Sequence, residues 1–335
     1  NESMTKKDNT SLLTVTGLKD LFAIEKKPLS GLMVFEKVAI AYAALTTLLV
    51  LFLYTRMSDP SAILMARVRF LAMTLALWGV YRLVPCRLML GIRGVVQLAL
   101  LGLWYPETYD FNRLFPNLDH LFAQWEQQLF GCQPALLFSQ VLPSHVASEL
   151  FDMGYGSYYF MIAVTAMFYF AFRYREFERA TFVILASFFV YYLIYIFLPV
   201  VGPTFYYHAV GLKTIAEGVF PNVHDYFLTH TASLPSPGYT DGVFYQFVED
   251  AKAAGERPTA AFPSSHVGVS TICMLLAWHS GNRRLFFVYL PFYIFLCCAT
   301  VYIQAHYLID AIAGLINGVG FYFLMMWLSR GMERK

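Results

Sequence analysis

Charge is scarce in this sequence. Asp, Glu, Lys and Arg make up 14% of it, against roughly a quarter in an ordinary soluble domain, so a water-soluble globular fold is not the first expectation. The net charge of +2, with no basic stripe, excludes a nucleic-acid binder. Cysteines are few and unpaired in pattern. Cys86, Cys132, Cys273, Cys297 and Cys298 form no CxxC spacing, and four lie in or beside apolar stretches, which excludes a disulfide framework or a zinc site. No cleavable signal peptide is expected, because the polar start Asn1–Thr16 puts the first apolar stretch too late. No internal repeat is visible.

Apolar and aromatic side chains fill the remainder. Hydrophobic residues reach 58% and aromatics 18%, and the mean hydropathy is +0.53, the profile of a chain that sits in lipid with rings at the interfaces. Crossing the hydrocarbon core takes about 20 apolar residues. Candidate spans are Met33–Leu53, Phe70–Val84, Leu88–Trp104, Leu150–Phe172, Thr181–Val201, Val267–Trp278, Leu285–Tyr302 and Leu308–Leu328. The expected fold is an all-α, polytopic transmembrane bundle of six to eight spans. A polar N-terminal segment covers 1–32, a single transmembrane catalytic domain 33–330 and a cytoplasmic tail 331–335.

Basic residues orient the second half. Arg173, Arg175 and Arg179 follow one span, Arg283 and Arg284 separate two others, and Arg330, Arg334 and Lys335 close the chain. With these in the cytoplasm, as the positive-inside rule asks, the loop Gly202–Phe262 and the residues near Ser264 and His306 face the extracytoplasmic side. The first half fits less well. Arg56, Arg67 and Arg69 form one cluster and Arg82, Arg87 and Arg93 another. Both cannot be cytoplasmic across one full span, so one early segment is expected to lie in the interface. Two polar stretches stand apart as extracytoplasmic. The insertion 105–149 carries an amphipathic piece with Leu118, Leu121, Phe122, Trp125 and Leu129 at helical spacing; it is expected to rest on lipid or on other helices and to stop at Gly131. The stretch 202–262 has no obvious elements and the length of a lid or binding loop.

Chemistry concentrates in Phe262-Pro263-Ser264-Ser265-His266 and His306-Tyr307-Leu308-Ile309-Asp310. Residues four apart share a helix face, so Asp310 is expected to accept a hydrogen bond from one ring nitrogen of His306, leaving the other as base or nucleophile. Ser264 or Ser265 can cap the following helix, whose N-terminus suits a phosphate. His266 in its first turn can donate a proton to a departing oxygen. An isolated histidine in a membrane is more often a satisfied polar contact than a catalyst. An aspartate within a span costs a few kcal/mol to insert and marks function by default. No metal or organic cofactor is called for.

The pair PSSH and HYLID resembles two of the three motifs of the type-2 phosphatidic acid phosphatase (PAP2) superfamily, whose pattern reads K-x6-RP, PSGH and SR-x5-H-x3-D. The resemblance covers about residues 200–320. It implies His306 as a nucleophile that becomes phosphohistidine, Asp310 as its orienter and His266 as the acid for the leaving group. The chain departs from the pattern in its cations. Ala299-Thr300 stands in place of SR, and Gly202-Pro203 in place of RP. Without those cations a monoester dianion is poorly held, whereas a phosphodiester, one charge lower, needs less clamping. With AHYLID in place of a basic motif, the chain looks like the phosphotransferase branch: inositol phosphorylceramide synthase, its bacterial relatives and sphingomyelin synthase. The run Asp119…Trp125-Glu126…Gly131…Pro134, with Glu149…Asp152…Tyr155…Tyr158, is similar to the bacterial members.

The resemblance implies transfer of a head-group phosphate, phosphoinositol, from phosphatidylinositol to ceramide. The main alternative is a lipid phosphatase acting on a phosphorylated lipid or isoprenoid carrier; a transporter or lipid-binding protein on the same scaffold is a third reading. The implied partners are the bilayer, a membrane phospholipid and a ceramide-like acceptor, with no nucleic acid and no obligatory protein partner. Candidate substrate contacts are Ser264, Ser265, Asp152, Glu149 and Tyr155, then Tyr206 in place of the absent RP motif, and Arg257 as the remaining cation. His145 in Pro143-Ser144-His145 mimics the motif without a suitable carboxylate.

Overall fold

The structure, a computed structural model, describes residues 15–253 and 256–332. Residues 1–14 of the expected polar N-terminal segment and the last residues of the tail, 333–335, lie outside them. The described residues form helices and turns with no strand. In chain order the helices are α1 (Val15–Phe22), α2 (Val34–Leu53), α3 (Pro60–Leu83), α4 (Arg87–Ala99), α5 (Leu101–Asn112), α6 (Asp119–Phe130), α7 (Pro134–Val141), α8 (His145–Phe172), α9 (Tyr174–Phe197), α10 (Pro203–Val210), α11 (Leu212–Ala216), α12 (Val243–Ala253), α13 (Ser265–His279), α14 (Arg283–Tyr302) and α15 (Leu308–Leu328).

Local chemistry sets several of these boundaries. Asp59 caps α3 by accepting from the Ala62 N–H at 2.9 Å, with Pro60 as first helical residue. Asn282 caps α14 in the same way through the Leu285 N–H at 3.1 Å. Gly131 ends α6 at φ +70°, a left-handed conformation that glycine adopts without strain.

Among the described residues seven helical stretches are long and apolar enough to cross a membrane: 34–56, 60–83, 87–112, 145–172, 174–197, 283–302 and 308–328. The chain is an integral, multi-pass membrane protein. Helix α13, with 15 residues, is about 22 Å long at 1.5 Å per residue, short of a full hydrocarbon core. The three early stretches have 23, 24 and 26 residues, so the interfacial segment expected among them is not needed by length. The stretch 202–262, expected to lack elements, holds α10, α11 and α12.

The chain divides into two compact units, residues 1–103, 163–189 and 324–335 in one and 104–162 and 190–323 in the other. In the first, two arginines that confused the loop charges turn out to be buried. Arg93 makes a bidentate pair with Glu36, 2.5 and 2.8 Å long with both side chains fully enclosed, and Arg67 donates to Thr46 at 3.0 Å. Neither is a loop charge, so neither counts for topology. Arg87 donates to the Phe170 carbonyl at 2.8 Å and lies over the Tyr174 ring. Arg179 reaches Ser329 and the Met326 carbonyl. The start of α4, the α8–α9 turn and the end of α15 therefore share one end of this unit, which puts Arg87 with the later basic cluster.

In the second unit a glycine seam joins α13 to α15. A Cβ on Gly318 would stand 2.5 Å from the Gly268 carbonyl oxygen, and one on Gly314 would meet the backbone of Ser264. Hydrogen in place of Cβ lets the two backbones touch, which sets the histidine-bearing ends of the helices side by side.

Candidate active site

All of the candidate site falls in the second unit. Ser264 is the N-cap of α13, its hydroxyl accepting from the Val267 N–H at 3.3 Å, as its sequence position predicts. Tyr195 of α9 fixes the same turn from the side, donating to the Pro263 carbonyl at 2.9 Å and accepting from the Ser265 N–H at 3.1 Å. Ser264 and Ser265 are both buried, and their polar groups serve this turn. His266, in the first turn of α13, is sandwiched by rings. Tyr155 stacks on it at 4.6 Å and Tyr158 lies against it at 4.4 Å.

His306 lies in the turn just before α15, its ring centroid 5.7 Å from that of His266. Its Nδ1 is 2.8 Å from the Ala261 carbonyl oxygen. A carbonyl oxygen only accepts, so Nδ1 carries the proton and Nε2 keeps its lone pair. The expected orienter was Asp310, but its Oδ2 stands 3.8 Å from Nδ1, beyond a hydrogen bond. Asp310 turns instead to the backbone, where Oδ2 accepts from the Tyr307 N–H at 2.8 Å. Its other oxygen, Oδ1, is buried without a hydrogen bond among the described residues. Asp310 thus stabilises the turn that presents His306 and sets a carboxylate beside the ring, while the tautomer is fixed by Ala261.

The Ala261 carbonyl is itself held. Its N–H donates to the Val200 carbonyl at 2.6 Å, and the neighbouring Thr204 N–H donates to the Gln304 carbonyl at 2.9 Å. Gly202, where the sequence lacks the RP motif, has φ +90°, and a Cβ there would lie 2.7 Å from the Ala305 carbonyl oxygen. Glycine is needed at this position by both conformation and space.

Burial pushes the His306 ring down to about 4 from its usual 6.5, against opposing pulls from the Ala261 carbonyl and Glu256. A value depressed on folding contributes stability that is complete above about 6.5 and is lost as the pH falls through about 4. At neutral pH Nε2 is therefore unprotonated. The acid limb that His306 imposes on turnover is expected near pH 4, read from the dependence of kcat on pH; a limb at 6.5 would contradict a buried neutral ring.

The remaining sequence candidates separate. Tyr155 is at the site. Glu149 is committed elsewhere, accepting from the Phe244 and Tyr245 N–H groups at 3.2 and 3.1 Å, so it caps α12. Tyr206 donates to the Pro221 carbonyl at 2.8 Å. Arg257 is exposed, its guanidinium over the Tyr109 ring at 5.6 Å. Asp152, one turn before Tyr155, is fully buried beside Glu149, Glu249 and Lys252. Ser148 lies alongside, yet neither Asp152 oxygen accepts a hydrogen bond of ordinary geometry. His145 stacks on Tyr239 at 4.2 Å. Among the described residues no group of three or more His, Cys, Asp or Glu converges to hold a metal ion.

Three carboxylates that sequence reasoning gave no role gather here. Asp119 accepts from the Val201 and Gly202 N–H groups and the Tyr307 hydroxyl at 2.7, 2.8 and 3.1 Å. Glu126 accepts from the Leu308 and Ile309 N–H groups at 2.9 and 3.1 Å. Glu256 interacts electrostatically with His306, Tyr105 and Tyr155, and its Oε2 is buried with no hydrogen-bond partner among the described residues. Burial raises its carboxyl above the ordinary range, with Lys252 and His306 opposing. Spacing offered no signal for Glu256, since it reaches the histidines only through the path of the 202–262 segment.

Residues 120–324 match a family model described as the PAP2 superfamily. No curated protein and no solved structure matches the chain.

Proposed function

From its membership of the PAP2 superfamily, shown by a match over more than half of its length, we propose that this chain is a membrane lipid phosphotransferase that moves a phosphorylated head group, phosphoinositol, from phosphatidylinositol to ceramide through a phosphohistidine at His306. The observation that carries this reading is the His306 Nδ1–H bond to the Ala261 carbonyl, which leaves Nε2 as a lone-pair nucleophile across from His266.

The chemistry runs in two balanced steps. Burial and the neighbouring His306 push the His266 ring down to about 3 in the protein alone, and the anionic phosphodiester raises it again, so His266 takes up a proton as the donor lipid binds. Nε2 then attacks the phosphodiester phosphorus; the P–N bond forms, the bond to the diacylglycerol oxygen breaks, and protonated His266 gives that oxygen its proton. The acceptor's primary hydroxyl then loses its proton to His266 and attacks phosphorus, and the P–N bond breaks. Asp310 beside the ring stabilises the positive charge that builds on it in each step. Tyr155, stacked on His266, and Tyr158, tilted against it, screen His266 from water, which favours an alcohol over water as acceptor. The departures from the superfamily's cation pattern, and Arg257 turned toward Tyr109, favour a diester donor over a monoester dianion. By the positive-inside rule the basic connections at 173–179 and 283–284 are cytoplasmic, and the chain then presents His266 and His306, at the far ends of the adjoining helices, on the extracytoplasmic side.

Glu256 and Asp152, carboxylates with buried, unfilled acceptor atoms, are suited to accept hydrogen bonds from head-group hydroxyls. Glu256→Ala is expected to raise KM for the inositol lipid roughly tenfold with a smaller change in kcat, the cost of one lost hydrogen bond to a charged or polar acceptor. Steady-state kinetics in mixed micelles measure it; an unchanged KM removes Glu256 from head-group recognition.

The test of function uses purified protein in detergent, phosphatidylinositol and a fluorescent ceramide. A slower-migrating fluorescent phospholipid that forms only with both lipids and an intact His306 supports the transferase. Phosphate released from phosphatidic acid, with no such product, replaces it with the phosphatase.

A further inference from the structure

The sequence pattern of α6 reads as an amphipathic helix that rests its apolar stripe on lipid or on other helices. The structure buries Phe122 and Ala123 but leaves Trp125 and Leu129 exposed. What the buried face carries is acid. Asp119 and Glu126 lie seven residues apart, two turns along the same face, and both are fully enclosed.

Their partners flank His306 on two sides. Asp119 takes the Val201 and Gly202 N–H groups, the stretch packed against Ala261 and Ala305, and also the hydroxyl of Tyr307, the residue after the nucleophile. Glu126 takes the Leu308 and Ile309 N–H groups, the first turn of α15. That turn has no side-chain cap of its own at Tyr307, the residue before the helix, since the Tyr307 hydroxyl is directed to Asp119. Free N–H groups at a helix start need acceptors, and here they come from a distant helix. A third helix-start N–H, that of Tyr307, goes to Asp310.

We propose that α6 is the positioning element of the nucleophile, and that Glu126 is the residue through which it acts, by capping α15 and so holding His306 at its angle to His266. This rests on His306 being the nucleophile. Glu126 touches no reacting atom and is not a catalytic residue. Burial and the charge of Asp310 push its carboxyl up to about 7, with the two backbone N–H groups opposing, as expected where a carboxylate is kept in an enclosed place for the bonds it makes.

The experiment compares full-length wild type with Glu126→Ala and Glu126→Gln by two readouts. The first is the split between kcat and KM in the lipid transfer assay. The second is the rate at which diethylpyrocarbonate modifies His306, followed by peptide mass spectrometry with exposed His208 as internal reference; it requires no substrate. Glu126→Ala is expected to lower kcat roughly 30-fold, the range for a small misplacement of a reacting group, with KM within about threefold, and to speed His306 modification at least threefold. Glu126→Gln, which keeps one acceptor oxygen, is expected to fall between on both and covers the case in which the alanine variant does not fold. A wild-type rate of His306 modification in both variants, or an unchanged kcat in the folded protein, overturns the proposal. Failure of the functional reading is seen separately, as turnover that survives His306→Ala while the modification rates still respond to Glu126.

Discussion

Replacing His306 with alanine is expected to lower turnover by roughly four orders of magnitude or more, because nucleophile, orienter and acid act as one unit and removal of the nucleophile leaves no partial route. The structure sharpens this expectation. The ring is locked by one bond, Nδ1–H to the Ala261 carbonyl at 2.8 Å, and faces His266 at a centroid spacing of 5.7 Å. Another residue would have to enter the same narrow space to substitute for it. Activity per folded molecule, measured with the variant purified to the same elution volume as wild type, is the relevant number. A residual rate within tenfold of wild type would rule out His306 as nucleophile.

A methyl group added at Gly314 is expected to cost roughly two orders of magnitude in rate, from a position that meets no substrate. Its Cβ would press into the Ser264 carbonyl, with the carbonyl carbon at 3.2 Å. The obstacle is backbone, so no rotamer change relieves it, and α15 must back away from the start of α13 by about 1 Å, a displacement that costs roughly a hundredfold in rate when it separates reacting groups. Overpacking of this kind also destabilises by about 1–3 kcal/mol. Gly314→Ala should therefore lose activity well beyond its loss of thermal stability, whereas Gly320→Ala, with open space around its Cβ, should lose neither. Equal behaviour of the two variants would mean that the seam does not set the histidine spacing.

The fold was legible in the sequence because lipid imposes long apolar runs. Seven of the eight expected spans lie on stretches that are long and apolar enough to cross, Leu88–Trp104 running over α4 and α5, while Val267–Trp278 lies on the shorter α13. Boundaries move by several residues where an end is polar: Tyr174–Phe197 stands in place of Thr181–Val201, because Arg175, Glu176 and Arg179 are helical despite their charge. The arginine pattern of the first half misled for the opposite reason. Arg67 and Arg93 are buried partners, and sequence alone cannot separate a buried pair from a loop charge. At the site, spacing brought out His266, His306 and Asp310, since helix periodicity links residues four apart. It could not choose the bond Asp310 makes, because the competing Tyr307 N–H is backbone and leaves no trace in residue identity. Glu149 showed the same limit, its acidity serving the start of α12. Asp119 and Glu126 of α6 stand out in sequence only through a family likeness, because nothing in their spacing ties them to His306.

The central claim is a covalent phosphoryl group on His306. Wild-type protein mixed with phosphatidylinositol in the absence of acceptor, quenched within the first turnover at alkaline pH and digested, is predicted to yield an acid-labile phosphoinositol adduct on the peptide containing His306, which disappears when ceramide is added before the quench. An adduct on a different residue, or complete turnover with no adduct at any time, would contradict the account.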